Sequence, residues 1–151
     1  MANTQAMCTS FKGELLVGHH NFGTGVVRAA TTADTFKAAL YLASATVNAS
    51  TTAYSSTGEV TGTGYTAGGV TVTFGTPPST SGTTAFVTPS ASISYSSVTL
   101  STAFDAVLIY NSTQSNKAVS VHTFGSQTVT AGTFTLTMPT NDASTGLIRL
   151  A

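Results

Sequence analysis

A chain of 151 residues and 15.2 kDa suits one domain, long enough to bury roughly 70% of its unfolded surface without a disulfide or a metal. Charged residues make up 7% of it, five basic and five acidic, for a formal net charge of zero. That balance excludes a protein that binds nucleic acid by neutralising phosphates, and no apolar run approaches the ~18 residues of a membrane span.

Hydroxyls stand where an ordinary domain carries charge: Ser and Thr fill roughly a third of the chain. With 41% apolar residues and regular alternation, the pattern argues for a packed fold, and near-zero net charge favours association over life as a monomer. The opening Met1-Ala2-Asn3-Thr4 has neither a basic region nor an apolar core of a secretory leader, so the chain is expected to be made and kept in the cytosol until assembly.

Met7, Phe11 and Leu15 recur at i, i+4 and i+8 and predict a short amphipathic helix within residues 1–18. Asn3 or Thr4 would cap its start and Gly18 its end, with Gly13 weakening the middle by about 1 kcal/mol relative to Ala. Residues 36–43 are apolar on both faces and suit a central strand, with the helix as cover on one side; a helix over the same residues is the alternative, since a short apolar run does not settle the period. The stretch 44–69 is rich in Ser, Thr, Ala and Gly, and ends in the glycine-dense turn region 62–69.

Val70, Val72 and Phe74 alternate with Thr71 and Thr73 as a half-buried strand. Pro77-Pro78 and Gly82 mark a loop, and Ala85-Phe86-Val87 a short strand ended by Pro89. Ile93, Tyr95, Val98 and Leu100 predict one or two further strands. The strongest signal is a hairpin: residues 104–110, a polar turn over 111–116, then residues 118–124. A brief extended piece at 127–129 follows, then Phe134, Leu136 and Met138 alternating with threonines until Pro139, and a last strand over 146–150. Eight or nine short strands joined by Gly and Pro turns predict a mainly β domain spanning 1–151, an antiparallel β-sandwich or jelly-roll-like fold with a short N-terminal helix.

The residues able to do chemistry are scattered. His19-His20 point apart if extended, and His122 sits far away in a strand pattern, so turn and packing roles outweigh a metal site, which needs at least three convergent ligands. Cys8 is the chain's one cysteine, has no cationic neighbour in sequence and reads as a small buried apolar group. Glu14, Asp34, Glu59, Asp105 and Asp142 offer no pair at helical or same-face spacing for acid–base work; Asp34 and Asp142 read as turn residues. Gly62-Thr63-Gly64-Tyr65-Thr66-Ala67 matches a loose dinucleotide fingerprint, but a Thr-rich strand follows where a helix should open, so it reads as turn chemistry. The sequons at Asn48 and Asn111 are expected by chance in so Ser/Thr-rich a chain. No cofactor, metal or catalytic residue is expected.

The order of several segments resembles a family of small β-rich virion proteins of tailed bacteriophages. The matching stretches are Ser10-Phe11-Lys12, Asp34-Thr35-Phe36-Lys37-Ala38-Ala39-Leu40-Tyr41, Glu59-Val60 and 62–69. They continue through 106–111, Asn116-Lys117-Ala118-Val119, Phe124-Gly125 and Gly132-Thr133-Phe134-Thr135. The resemblance implies no catalytic residue. It implies a virion protein of the head surface, a capsid decoration (cement) protein that touches the major capsid protein and copies of itself as a dimer or trimer. The expected contacts are Phe11 in the N-terminal segment, Tyr65 and Gly68 on the glycine loop, and Pro77 and Pro78. A tail or fibre component touching host glycans through Tyr, Ser and Thr is the alternative, and an enzyme acting on cell-wall polysaccharide the weakest reading.

Overall fold

The computed structural model describes residues 3–8, 11, 19–20, 22–23, 33–82 and 84–150. The chain is mainly β, in two antiparallel sheets consistent with a β-sandwich. Its strands are β1 (Ala6–Met7), β2 (Phe36–Leu42), β3 (Val70–Val72), β4 (Ser79–Ser81), β5 (Thr84–Val87), β6 (Ile93–Asn111), β7 (Lys117–Leu136) and β8 (Ile148–Leu150). The larger sheet runs in the order β1-β7-β6-β2-β3 and the smaller in the order β4-β5-β8.

β2 lies inside the large sheet, paired with β6 from Phe36↔Asn111 to Leu42↔Phe104 and with β3 from Phe36↔Val72 to Ala38↔Val70. This is why both of its faces read as apolar: Phe36, Ala38, Ala39, Leu40 and Tyr41 are all buried. The core they join also takes in Leu108, Ile109, Val119 and Val121 from the hairpin, with Val87 and Ile148 from the small sheet. An aromatic group anchors one part of it: Phe22 stacks on Phe36 at 4.8 Å, and Phe74 meets both rings edge-on at 5.1 Å.

The predicted N-terminal helix is not found; among the described residues of its span Phe11 alone is helical. Ala6–Met7 is instead a strand, paired as Ala6↔Val121 and Met7↔Ser120, and the backbone N–H of Cys8 continues the contact to the carbonyl of Val119. Residues 12–18, where the rest of that helix was expected, lie outside the described residues. A short helix interrupted by glycine is marginal by itself, whereas the rim of β7 offers ready backbone partners. The start of the chain is therefore woven into the fold. The Asn3 amide donates to the Leu42 carbonyl at 3.1 Å and to Asp105 Oδ1, and its Oδ1 accepts from Val47 N–H.

The segments expected as separate strands between 93 and 136 are two strands of 19 and 20 residues forming one hairpin. Its continuity depends on irregularities that cancel. Between Tyr95 and Val98 β6 advances three residues while β7 advances two; between Val98 and Leu100 β6 advances two while β7 advances three. Ser97 and Ala131, at φ 55° and 45°, accommodate these steps. A second compensating pair lies between Leu100 and Ala106. At the closed end, Asn111 is wholly buried and organises the polar turn: its Oδ1 accepts from the N–H groups of Thr113 and Gln114, and its amide donates to Asp34 at 2.8 Å.

Candidate functional site

Sequence reasoning missed the densest polar cluster, which is built around Glu59. β2's outer edge is covered by β3 up to Ala38, and farther along by residues 58–60: the N–H of Leu42 donates to the Gly58 carbonyl, and the N–H of Val60 to the Leu40 carbonyl. Between them the N–H of Leu40 would lack a strand partner, and the Tyr65 hydroxyl takes it at 3.0 Å. That hydroxyl in turn donates to Glu59 Oε1 at 2.7 Å. Tyr54 donates to Oε2 at 2.7 Å, and the Gly68 N–H to Oε1 at 2.8 Å. A buried carboxylate is thus met by three donors, the arrangement burial of a charge demands.

The other tyrosines frame the same cluster. Tyr110 donates to the Gly68 carbonyl at 2.9 Å and stacks on Tyr54 at 4.7 Å; Tyr95 donates to the Ala38 carbonyl at 2.8 Å, and Tyr41 to Ser55 at 2.5 Å. Burial is the main reason each phenol holds its proton above the ordinary range, with the nearby Glu59 charge adding to it. Tyr41 is pushed up to about 12. The glycine loop is pressed against the strands. A Cβ on Gly69 would stand 1.7 Å from the Ala38 carbonyl oxygen, and one on Gly62 2.1 Å from that of Thr99. A strand, not a helix, follows the loose fingerprint, in keeping with turn chemistry.

Of the expected contact residues, the structure brings together Phe11 and Pro78, and separately Tyr65 and Gly68. Phe11 is wholly buried, edge-on to His20 at 4.7 Å, and works in the core rather than on an open face. Gly68 is buried and the Tyr65 hydroxyl is committed to Glu59 and Leu40, so of these two residues the flank of the Tyr65 ring is what the loop presents, beside exposed Thr63, Thr66 and Ala67. Pro77 and Pro78 are exposed. Pro78, with Phe11, Phe22, Phe86, Ile148 and Leu150, lines an apolar hollow of about 100 Å³, and Leu150 is 40% exposed.

His20 is buried among aromatic rings with Nδ1 3.2 Å from the Asn111 amide, while His19 is exposed. His122 lies on β7 with Nε2 2.8 Å from Ser120 Oγ, and burial lowers its pKa to about 4. Ser120 is itself buried, so the pair is packed as a cross-braced element of the strand. Among the described residues no group of three or more His, Cys, Asp or Glu could hold a metal ion. Asp142 accepts from the N–H groups of Ser144 and Thr145 and from the Thr145 hydroxyl, bonds that hold its pKa below the usual value. It is a turn residue, as expected. Cys8 is buried, its thiol 3.8 Å from the Asn48 carbonyl. No helix among the described residues is long and apolar enough to cross a membrane. Comparison with known proteins finds no matching family model, curated protein or solved structure.

Proposed function

We propose that this chain is a non-enzymatic structural component of a tailed-phage virion, a head decoration protein that binds the major capsid shell and stabilises it. The observation that carries the reading is how the polar chemistry is spent. Glu59, Asp34, Asp105 and Asp142 each hold the scaffold together, while the exposed surface is largely hydroxyl. A rigid, nearly chargeless face can lie against neighbours without burying unpaired ions. A modest contact repeated over many symmetric copies stabilises the assembled shell, because each copy binds the assembly and not the free subunit.

The contact assigned to the shell is the exposed Pro77-Pro78 loop with Leu150 beside the apolar hollow. The N-terminal segment is left out of this contact, since Asn3 and β1 are tied into the large sheet. Labelled antibody on intact particles tests the location: label over the head supports the proposal, and label confined to the tail or absent from particles overturns it. Pro78→Asp and Leu150→Asp should lower occupancy on heads while the purified protein keeps its near-ultraviolet circular dichroism.

The tail-adhesin reading has one observation of its own. An open groove of about 460 Å³ is lined by Tyr65, Tyr95, Thr66, Thr71, Ser94 and Ser96, an aromatic and hydroxyl lining of the kind that suits sugars. Tail-only labelling would select it.

A further inference from the structure

We propose that the outer edge of β7 over residues 133–136, continued by Thr137 and Met138 just past its end, is a self-pairing edge, through which two copies join antiparallel about a two-fold axis at Thr135 and form one continuous sheet. β1 covers that side of β7 only at Ser120 and Val121. Beyond Val121, among the described residues, no strand pairs with it there. An open edge is a row of backbone donors and acceptors ready for another chain. The usual protections are missing from this stretch. No charged residue lies between Lys117 and Asp142, and the first proline is Pro139. The extra residues on β7 fall between Ala118 and Ser120, between Thr123 and Gln127 and between Val129 and Gly132, which leaves β7 without an insertion in the segment that follows.

The segment is complementary to itself. Thr133, Thr135 and Thr137 are exposed and alternate with half-buried Phe134, Leu136 and Met138. Antiparallel pairing centred on Thr135 sets Thr133 opposite Thr137 on one face and Phe134 opposite Leu136 on the other, pairs that favour a sheet. A two-fold contact brings each residue against its own segment, so a charge there would meet its like; this segment has none. The same neutrality disfavours an acidic or basic partner and selects a second copy. Growth beyond two is blocked because the sheet's other rim, β3, is three residues long, and the Thr73 carbonyl just past it is taken by Ser90. Pairing β7 with β7 uses the open edge of both copies and closes.

The pairing concerns the protein in solution and does not depend on the shell reading, so it is tested without particles. Sedimentation velocity of the full chain should give a dimer at micromolar concentration for the wild type and for Thr71→Lys, an exposed change on β3. Thr135→Lys, which sets two ammonium groups face to face, should give a monomer, a twofold drop in mass. Thr135→Cys should oxidise to a disulfide-linked dimer, since directly opposed strand positions lie within disulfide reach and Cys8 is buried. A monomeric wild type, or a Thr135→Lys protein that stays dimeric, overturns the proposal. Should Thr135→Lys fail to fold, the cysteine variant decides: a cross-linked dimer upholds it and an uncross-linked chain overturns it.

Discussion

The Tyr65 hydroxyl sits between two obligations, accepting from the Leu40 N–H at 3.0 Å and donating to Glu59 Oε1 at 2.7 Å. One phenol thereby completes the rim of β2 and satisfies part of a buried carboxylate. Tyr65→Phe removes both bonds at once and leaves the Leu40 amide without its acceptor. It should destabilise the protein by about 1–3 kcal/mol, read as a lower urea midpoint with an unchanged slope.

Glu59→Gln keeps the shape but replaces one acceptor oxygen with a donor group, where three donors converge. A loss of about 1–3 kcal/mol is expected. Glu59→Leu strands all three donors and should lose more than Glu59→Gln by the same urea measurement.

Glycine is required at 69 for two reasons, a φ of +71° and the Ala38 oxygen 1.7 Å from any added Cβ. Gly69→Ala should lose more than about 3 kcal/mol or fail to fold, since backbone strain and a clash with a strand carbonyl add. Gly125 has ordinary φ and nothing within 4 Å of an added Cβ, so Gly125→Ala should lie within about 0.5 kcal/mol of the wild type. Thermal melts of the two variants check the contrast.

His122 gives an acid-side dependence. Its pKa is lowered from 6.5 to about 4 by burial, so the folded state resists a proton that the unfolded chain accepts. The stability it contributes is complete above pH 6.5 and is lost as pH falls toward 4, on the order of 2 kcal/mol once partial solvent access to the ring is allowed for. His122→Leu should flatten that part of the stability profile, measured by urea unfolding from pH 7 to pH 4.

The tyrosines act at the other end. Tyr41 holds its proton to about 12, against 10 in the unfolded chain. Their contribution is complete below pH 10 and declines as pH rises toward 12. Spectrophotometric titration should show phenolate appearing together with the loss of circular dichroism rather than before it.

Alternation made most strands legible: Val70 with Val72, Phe86 with Val87, and the hairpin around Leu108 and Val121 all pair as their patterns imply. β1 was not legible because two residues, Ala6 and Met7, carry no period, and their strand identity is conferred by β7. β4 is a Ser-Thr-Ser segment, indistinguishable from loop by composition. The long hairpin was hidden because exposed Ser101, Thr102 and Ala103 interrupt the apolar rhythm while the backbone ladder carries on.

The Glu59 cluster is assembled from residues 38 to 110, and such convergence is set by topology. A faint signal existed nonetheless. In a chain with 7% charged residues, one acid stands between Tyr54 and Tyr65, both hydrogen-bonded to it. The contact residues were the least legible: Phe11 read as surface because its burial depends on His20 and Phe22, which sequence spacing does not place beside it.

The cancelling irregularities of the β6–β7 hairpin make its outer half sensitive to length as well as to composition. Deleting Ala131 would remove one half of a matched pair, and everything beyond it would slide by a single position. Phe134 and Leu136 would then turn toward water and the threonines toward the aromatic interior. The residue count of this arm is locked along with its pattern.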